Sequence, residues 1–250
     1  MDFLKRFDKS NIDLLSLENG LINCPEDSWD KTKIISRISK MYQKLKQDDS
    51  SINSLYKAGG EWDHYIAERQ SFYDDLLNDN HDAAHKILSN FWRNKLGPIV
   101  KEYAKYEQIK DNETEATERF VDKVASNYLI WRELYQSDVS ELKIPNIGNQ
   151  WGLSIDGELV APKATRYHAH AQQVKSLTSD VEKPVFAEIG GGYCGLANYM
   201  LRDIPNLTYI DFDLPETLVI GAYYIMCAFP EKRILLYGEY EDLDEVNLEH

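Results

Sequence analysis

Gly190, Gly192 and Gly195 fall at the spacing G-x-G-x-x-G, directly after the short apolar run Val185-Phe186-Ala187-Glu188-Ile189. That run reads as a strand, and the residues from Gly195 to about 203 read as a helix. Glycine at such a turn lets the chain bend sharply and lets a ligand approach the backbone. The helix N-terminus beyond it offers amides with no intrahelical partner. A second strand, residues 207–212, runs into Asp213, where a carboxylate can accept both hydroxyls of a ribose. A glycine turn followed by a strand-end aspartate points to a site for an adenosine-containing cofactor.

Glu188 narrows the choice of cofactor. It lies two residues before the first glycine, at the mouth of the first strand. A nicotinamide dinucleotide would bring a doubly negative pyrophosphate to this turn. A nearby buried carboxylate would repel it by several kcal/mol at an effective dielectric of ~20. S-adenosylmethionine brings an ammonium and a sulfonium and no phosphate, so the same carboxylate becomes an asset. The expected cofactor is therefore S-adenosylmethionine, with a dinucleotide as the alternative.

The elements that would position these residues follow from the pattern around them. Pro215 suits the first turn of a helix running to Phe229, and residues 233–237 read as a third strand with Gly238 and Glu239 at its end. The order β-α-β-α-β is one mononucleotide-binding half of a doubly wound sheet. Upstream, Pro145, Gly148, Gly152, Gly157 and Pro162 mark a connector. Asp156-Gly157, between Leu153/Ile155 and Leu159/Val160, signals a hairpin within it. Residues 165–177 then read as a helix. The first 140 residues read as helices with apolar stripes. One holds Ile34, Ile35, Ile38, Met41, Tyr42 and Leu45, with Asp27 or Ser28 as cap. A second holds Trp62, Tyr65, Ile66, Tyr73, Leu76 and Leu77, and a third Ala84, Ile87, Leu88, Phe91 and Trp92. Aromatic residues at this spacing are expected in the core.

The run Glu188-Ile189-Gly190-Gly191-Gly192-Tyr193-Cys194-Gly195-Leu196-Ala197, with Phe212-Asp213-Leu214-Pro215-Glu216 after it, resembles the class I S-adenosylmethionine-dependent methyltransferases. More narrowly, it resembles the sugar O-methyltransferases of bacterial surface-polysaccharide clusters. Asn146-Ile147-Gly148-Asn149 and Arg166-Tyr167-His168-Ala169-His170-Ala171 are similar to segments of the same family. The likeness covers roughly residues 60–240 and is most specific over 184–216. It implies an α/β protein with an N-terminal helical domain, then the first β-α-β-α-β half of a Rossmann-like methyltransferase domain. It also implies methyl transfer to a hydroxyl of a sugar or glycan acceptor. Carried over residue by residue, Glu188, Gly190, Gly191 and Gly192, with Tyr193 beside them, would line the methionine part of the cofactor. Asp213 would hold the ribose, and Glu239 would accept from the adenine amino group. Cys194 departs from the pattern, since the family has glycine there. Its Cβ and sulfur are expected to crowd the cofactor or restrict the backbone.

A sugar hydroxyl must lose its proton as the methyl group arrives, so a base should lie within hydrogen-bond reach. His168 and His170 are the candidates. On a helix they point about 200° apart, so at most one faces the site. His170 shares its face with Arg166, which could pair with the cofactor carboxylate. In the family the base often follows the fourth strand, which this chain does not reach. His81 and His85 have the spacing of two metal ligands but no evident third, so no metal is expected.

The chain of 250 residues divides on this reading into a helical domain (1–140), a connector with hairpin and helix (141–183), a cofactor-binding half-domain (184–247) and a tag-like end (248–250). Leu248-Glu249-His250 resembles the start of a vector-encoded histidine tag, and the chain is expected to be an N-terminal piece with little activity of its own. A half sheet leaves one edge of its first strand unpaired, to be covered by a second copy of the chain or by a fourth strand of a longer protein. Asp plus Glu total 42 against 28 for Lys plus Arg, a formal charge of −14, which disfavours a nucleic-acid partner and an anionic membrane surface. The N-terminus lacks the apolar stretch of a signal peptide, and Cys24, Cys194 and Cys227 show no metal or disulfide pattern, which fits the cytoplasm. Two other readings compete with the methyltransferase: a nicotinamide-dependent oxidoreductase, and a non-catalytic acidic interaction module whose glycine turn is a relic.

Overall fold

The stripe beginning at Ile34 forms helix α1 (Lys31–Asp48), with Ile35, Ile38, Met41, Tyr42 and Leu45 turned inward. Its cap is Asp30, whose side chain accepts the Lys33 N–H at 3.1 Å, because it is the carboxylate immediately before the first helical residue. The computed structural model describes residues 12–13, 30–51, 53, 57, 59–97, 100–110 and 115–240. Cys24, the cap candidates Asp27 and Ser28, and residues 241–250 with the tag-like end lie outside these.

The second stripe is two helices, α2 (Glu61–Ala67) and α3 (Gln70–Leu77). They break at Arg69, whose buried guanidinium donates to the carbonyls of Tyr65 at 2.9 Å and Gly97 at 3.0 Å. A buried arginine thus satisfies the Tyr65 carbonyl, which the helix end would otherwise leave open, and ties it to Gly97. Helix α4 (His81–Leu88) ends before Phe91 and Trp92, which are fully buried all the same. Helices α5 (Val100–Ile109) and α6 (Glu115–Tyr135) follow.

In the connector, β2 (Leu153–Ile155) and β3 (Glu158–Val160) form the antiparallel hairpin about Asp156-Gly157. A third strand, β1 (Ile12–Asp13), pairs with β2 and sets Ile12 opposite Ile155. No turn or strand signal near residue 12 announces this pairing. Helix α7 (Ala164–Leu177) leads to the second sheet.

That sheet consists of β4 (Val185–Ile189) and β5 (Thr208–Phe212), parallel and in register from Val185/Thr208 to Ile189/Phe212. Helix α8 (Gly195–Asp203) connects the two strands, and α9 (Pro215–Ala228) follows with Pro215 in its first turn. Helix α8 packs on α7, and α9 packs along α1. The described residues are therefore mixed α/β, mostly helical, with two small sheets.

The expected third strand at 233–237 does not form. After α9 the chain turns onto α1, where the Arg37 guanidinium donates to the Ile234 carbonyl at 2.7 Å and to both Glu239 oxygens at 2.6 and 2.8 Å. A long-range side chain thus supplies partners that a ladder would have supplied. Cys194 and Cys227 are buried. Among the described residues no helix is long and apolar enough to cross a membrane.

Candidate functional site

The ladder between β4 and β5 extends one residue into the glycine turn, where the Gly190 N–H donates to the Phe212 carbonyl at 2.8 Å. Gly190 and Gly192 then take φ values of 81° and 63°, a region that favours glycine. A Cβ at either position would meet nothing within 4 Å, so the backbone there faces open space. Gly191 faces the other way: a Cβ would lie 2.5 Å from an Asp211 oxygen.

Two aspartates of β5 and its end hold this turn. Asp211 accepts the Gly191 N–H at 3.2 Å. Asp213 accepts the Gly192 N–H at 2.8 Å and the Leu214 N–H at 2.7 Å. Asp213 thus stands at the turn, but both of its oxygens already have backbone donors, and a ribose would have to share them.

Glu188 is the register partner of Asp211 across the ladder, so the two carboxylates share one face of the sheet. The Tyr209 hydroxyl, also on that face, donates to Glu188. No cationic side chain among the described residues pairs with Glu188, Asp211 or Asp213. Burial, then the charges of Asp211 and Asp213, push the Glu188 carboxyl up to about 6. Burial and Asp213 push Asp211 up to about 6, against the pull of Cys194 and the Gly191 N–H. Asp213 is also raised, by burial, against its two backbone donors. Like charges brought together without a counter-ion are costly, and the cost falls when a cation arrives or a proton is retained. The group suits an ammonium or a sulfonium and would repel a phosphate.

Cys194 takes the left-handed conformation at the start of α8, with φ 63° and ψ 35°. Its thiol is buried and donates to Asp211 at 3.5 Å. The sulfur lies against α9 at Gly221, where a Cβ would come within 2.9 Å of it and 3.1 Å of the Gly192 carbonyl. The sulfur points into the core, so the expected crowding of a cofactor is corrected. Tyr193 also turns inward, its ring meeting Trp92 at 4.9 Å and Tyr224 at 5.4 Å edge-on.

The two histidines of α7 part company. His168 is buried, with Nδ1 accepting from the Trp131 indole at 3.0 Å and its ring edge-on to Tyr135 and Tyr199. Burial holds it below its ordinary pKa. Its reading as a catalytic base is corrected, because its place is in an aromatic core. His170 and Arg166 are exposed one turn apart, and the Arg166 guanidinium lies over the Tyr167 ring at 5.3 Å. No hydrogen bond or ion pair joins either to the glycine turn among the described residues. Glu239, read as an adenine contact, is instead bound by Arg37. Burial opposes its charge, but the Arg37 bonds and the Leu236 N–H outweigh this and hold its carboxyl below the usual range.

Three participants escaped the sequence reading. Asp211 and Tyr209 alternate with Asp213 along β5, a period-two pattern that was visible, but only the parallel register sets them beside Glu188. Gly221, the one glycine in the apolar run of α9, marked the close approach to Cys194. No protein-family model, no curated protein and no solved structure matches the chain.

Proposed function

We propose that the glycine turn between β4 and α8 binds S-adenosylmethionine, and that the chain carries the cofactor-binding part of a class I methyltransferase acting on a sugar hydroxyl. The observation that carries the reading is the grouping of Glu188, Asp211 and Asp213, half-buried and without a cationic partner among the described residues, around an open glycine turn. A fold accepts such a cost where a cationic ligand relieves it. Glu188 and Asp211 would face the positive methionine portion, and Asp213 would share its oxygens between the turn and the ribose. Gly190 and Gly192 would let the ligand lie against backbone. The bound cofactor would supply an activated methyl group. The order β4-α8-β5-α9, with parallel strands, supports the reading of a Rossmann-like half-domain. The sugar acceptor and the narrower family rest on the sequence resemblance. With His168 taken into the core, His170 is the remaining candidate base, with Arg166 beside it.

Titration calorimetry tests the assignment on the 250-residue protein. Heat is expected with S-adenosylmethionine and not with NAD or NADP. Heat with a dinucleotide alone would replace this reading by the oxidoreductase. Silence with all three would leave the acidic interaction module.

A further inference from the structure

Residues 234–237 have the alternation of a strand without its partner. Ile234 and Leu236 turn into the core, while Leu235 and Tyr237 turn outward, 38% and 50% exposed. The residue types, isoleucine, two leucines and tyrosine, suit a half-buried strand. Yet the segment is fastened to α1. Arg37 grips both oxygens of Glu239 and the Ile234 carbonyl, and the Tyr237 hydroxyl donates to Asp48 at 2.9 Å. Glu239 folds back to accept the Leu236 N–H at 2.8 Å. Meanwhile, among the described residues, β5 has a ladder partner only on its β4 side. A sheet of two strands is marginal by itself, and an open edge is a template for a further strand.

We propose that residues 234–237 are a switchable strand, held off the outer edge of β5 by the Arg37–Glu239 clasp and able to pair with that edge when the clasp opens. Two sets of partners compete for one segment. In the clasped state the Ile234 carbonyl belongs to Arg37; in the docked state the segment's backbone joins the ladder. Both side chains of the clasp keep 29% of their surface in water, so solvent can compete for the pair when it opens. Two arrangements of similar free energy are what a switch requires. Docking would extend the sheet that carries Asp211 and Asp213, and the clasp would report that change to α1. The inference does not rest on the identity of any cofactor.

Hydrogen exchange read by mass spectrometry on the whole chain decides it, with peptides covering 208–212, 234–237 and α8. Arg37→Ala and Glu239→Gln are each expected to slow exchange at 208–212 and 234–237 together, by roughly tenfold, as ladder bonds form. Faster exchange at 234–237 with β5 unchanged would show a segment that merely frays, and would overturn the proposal. No change in either region would overturn it as well. Should Arg37→Ala loosen α8 too, Glu239→Gln decides, since it removes only the charge. Absence of slowing there counts against the switch.

Discussion

The two sheets of this protein treat their side chains in opposite ways. In the antiparallel sheet Leu153, Ile155 and Val160 are buried, and the strands serve to close the helical core. In the parallel sheet Val185, Ile189, Ile210 and Phe212 face solvent, Ile189 being 89% exposed and Phe212 56%. Its half-buried face carries Glu188 and Asp211. Parallel strands are ordinarily covered on both faces by apolar packing. The first sheet is explained by stability. The second sheet sets charge beside the stacked Phe186 and Tyr209 on its inner face, and charge in that position is explained by what it can bind.

The largest effect expected from this contrast is on stability. Ile155→Ala should cost about 2–5 kcal/mol and Ile189→Ala less than ~0.5 kcal/mol in urea unfolding. Equal costs would break the comparison by showing that the outer face of the parallel sheet is covered in solution, as in a homodimer.

Next in size is the effect of Asp213→Ala on S-adenosylmethionine affinity. Removing charge-assisted bonds to the turn and the ligand should cost about 1.5–3 kcal/mol, a loss of roughly 10- to 100-fold in calorimetry. Glu239→Ala should cost less than Asp213→Ala, because Arg37 already holds that carboxylate. Equal losses would return Glu239 to the site.

The carboxylates also set a pH dependence whose sign follows from their raised pKa values. The folded state retains protons that the unfolded chain has lost, so these groups favour folding most below their unfolded values. That contribution is lost as pH rises through about 6 for Glu188 and Asp211. Urea midpoints at pH 5 and pH 7 should therefore converge in Glu188→Gln relative to the parent. A cationic ligand acts in the opposite sense. Its affinity should rise from pH 5 to pH 7 with release of protons, read as buffer-dependent heat. Proton uptake would contradict the carboxylate assignment.

The smallest effect is expected at Cys194. Cys194→Gly relieves a left-handed non-glycine residue but removes a buried sulfur, so stability should change by less than ~1 kcal/mol. Cofactor affinity should stay the same, because the sulfur faces Asp211 and α9. Tighter binding would restore the crowding expected from sequence alone.

What could be read from the sequence was local. The Asp156-Gly157 hairpin, the strand Val185–Ile189 and the helix opening at Gly195 each carry their signals within a few residues. The errors came from distant partners. Residues 233–237 have a strand's composition, but Arg37 stands 202 positions from Glu239 and redirects them. His168 reads as a base until Trp131 donates to it from 37 positions away. Cys194 reads as an obstruction until its left-handed backbone turns the sulfur inward. Asp211 lay in plain view, but its role depends on register, and register is a property of two strands.

Gly221 and Cys194 share one volume. At Gly221 the space between α9 and the glycine turn is filled by a sulfur supplied from the turn, and the helix contributes only bare backbone there. The two positions are therefore complementary in size: a side chain at one requires its near-absence at the other. The departure at Cys194 is thus half of a matched fit, and a change at either residue shifts how closely α9 can stand behind the loop that would touch the ligand.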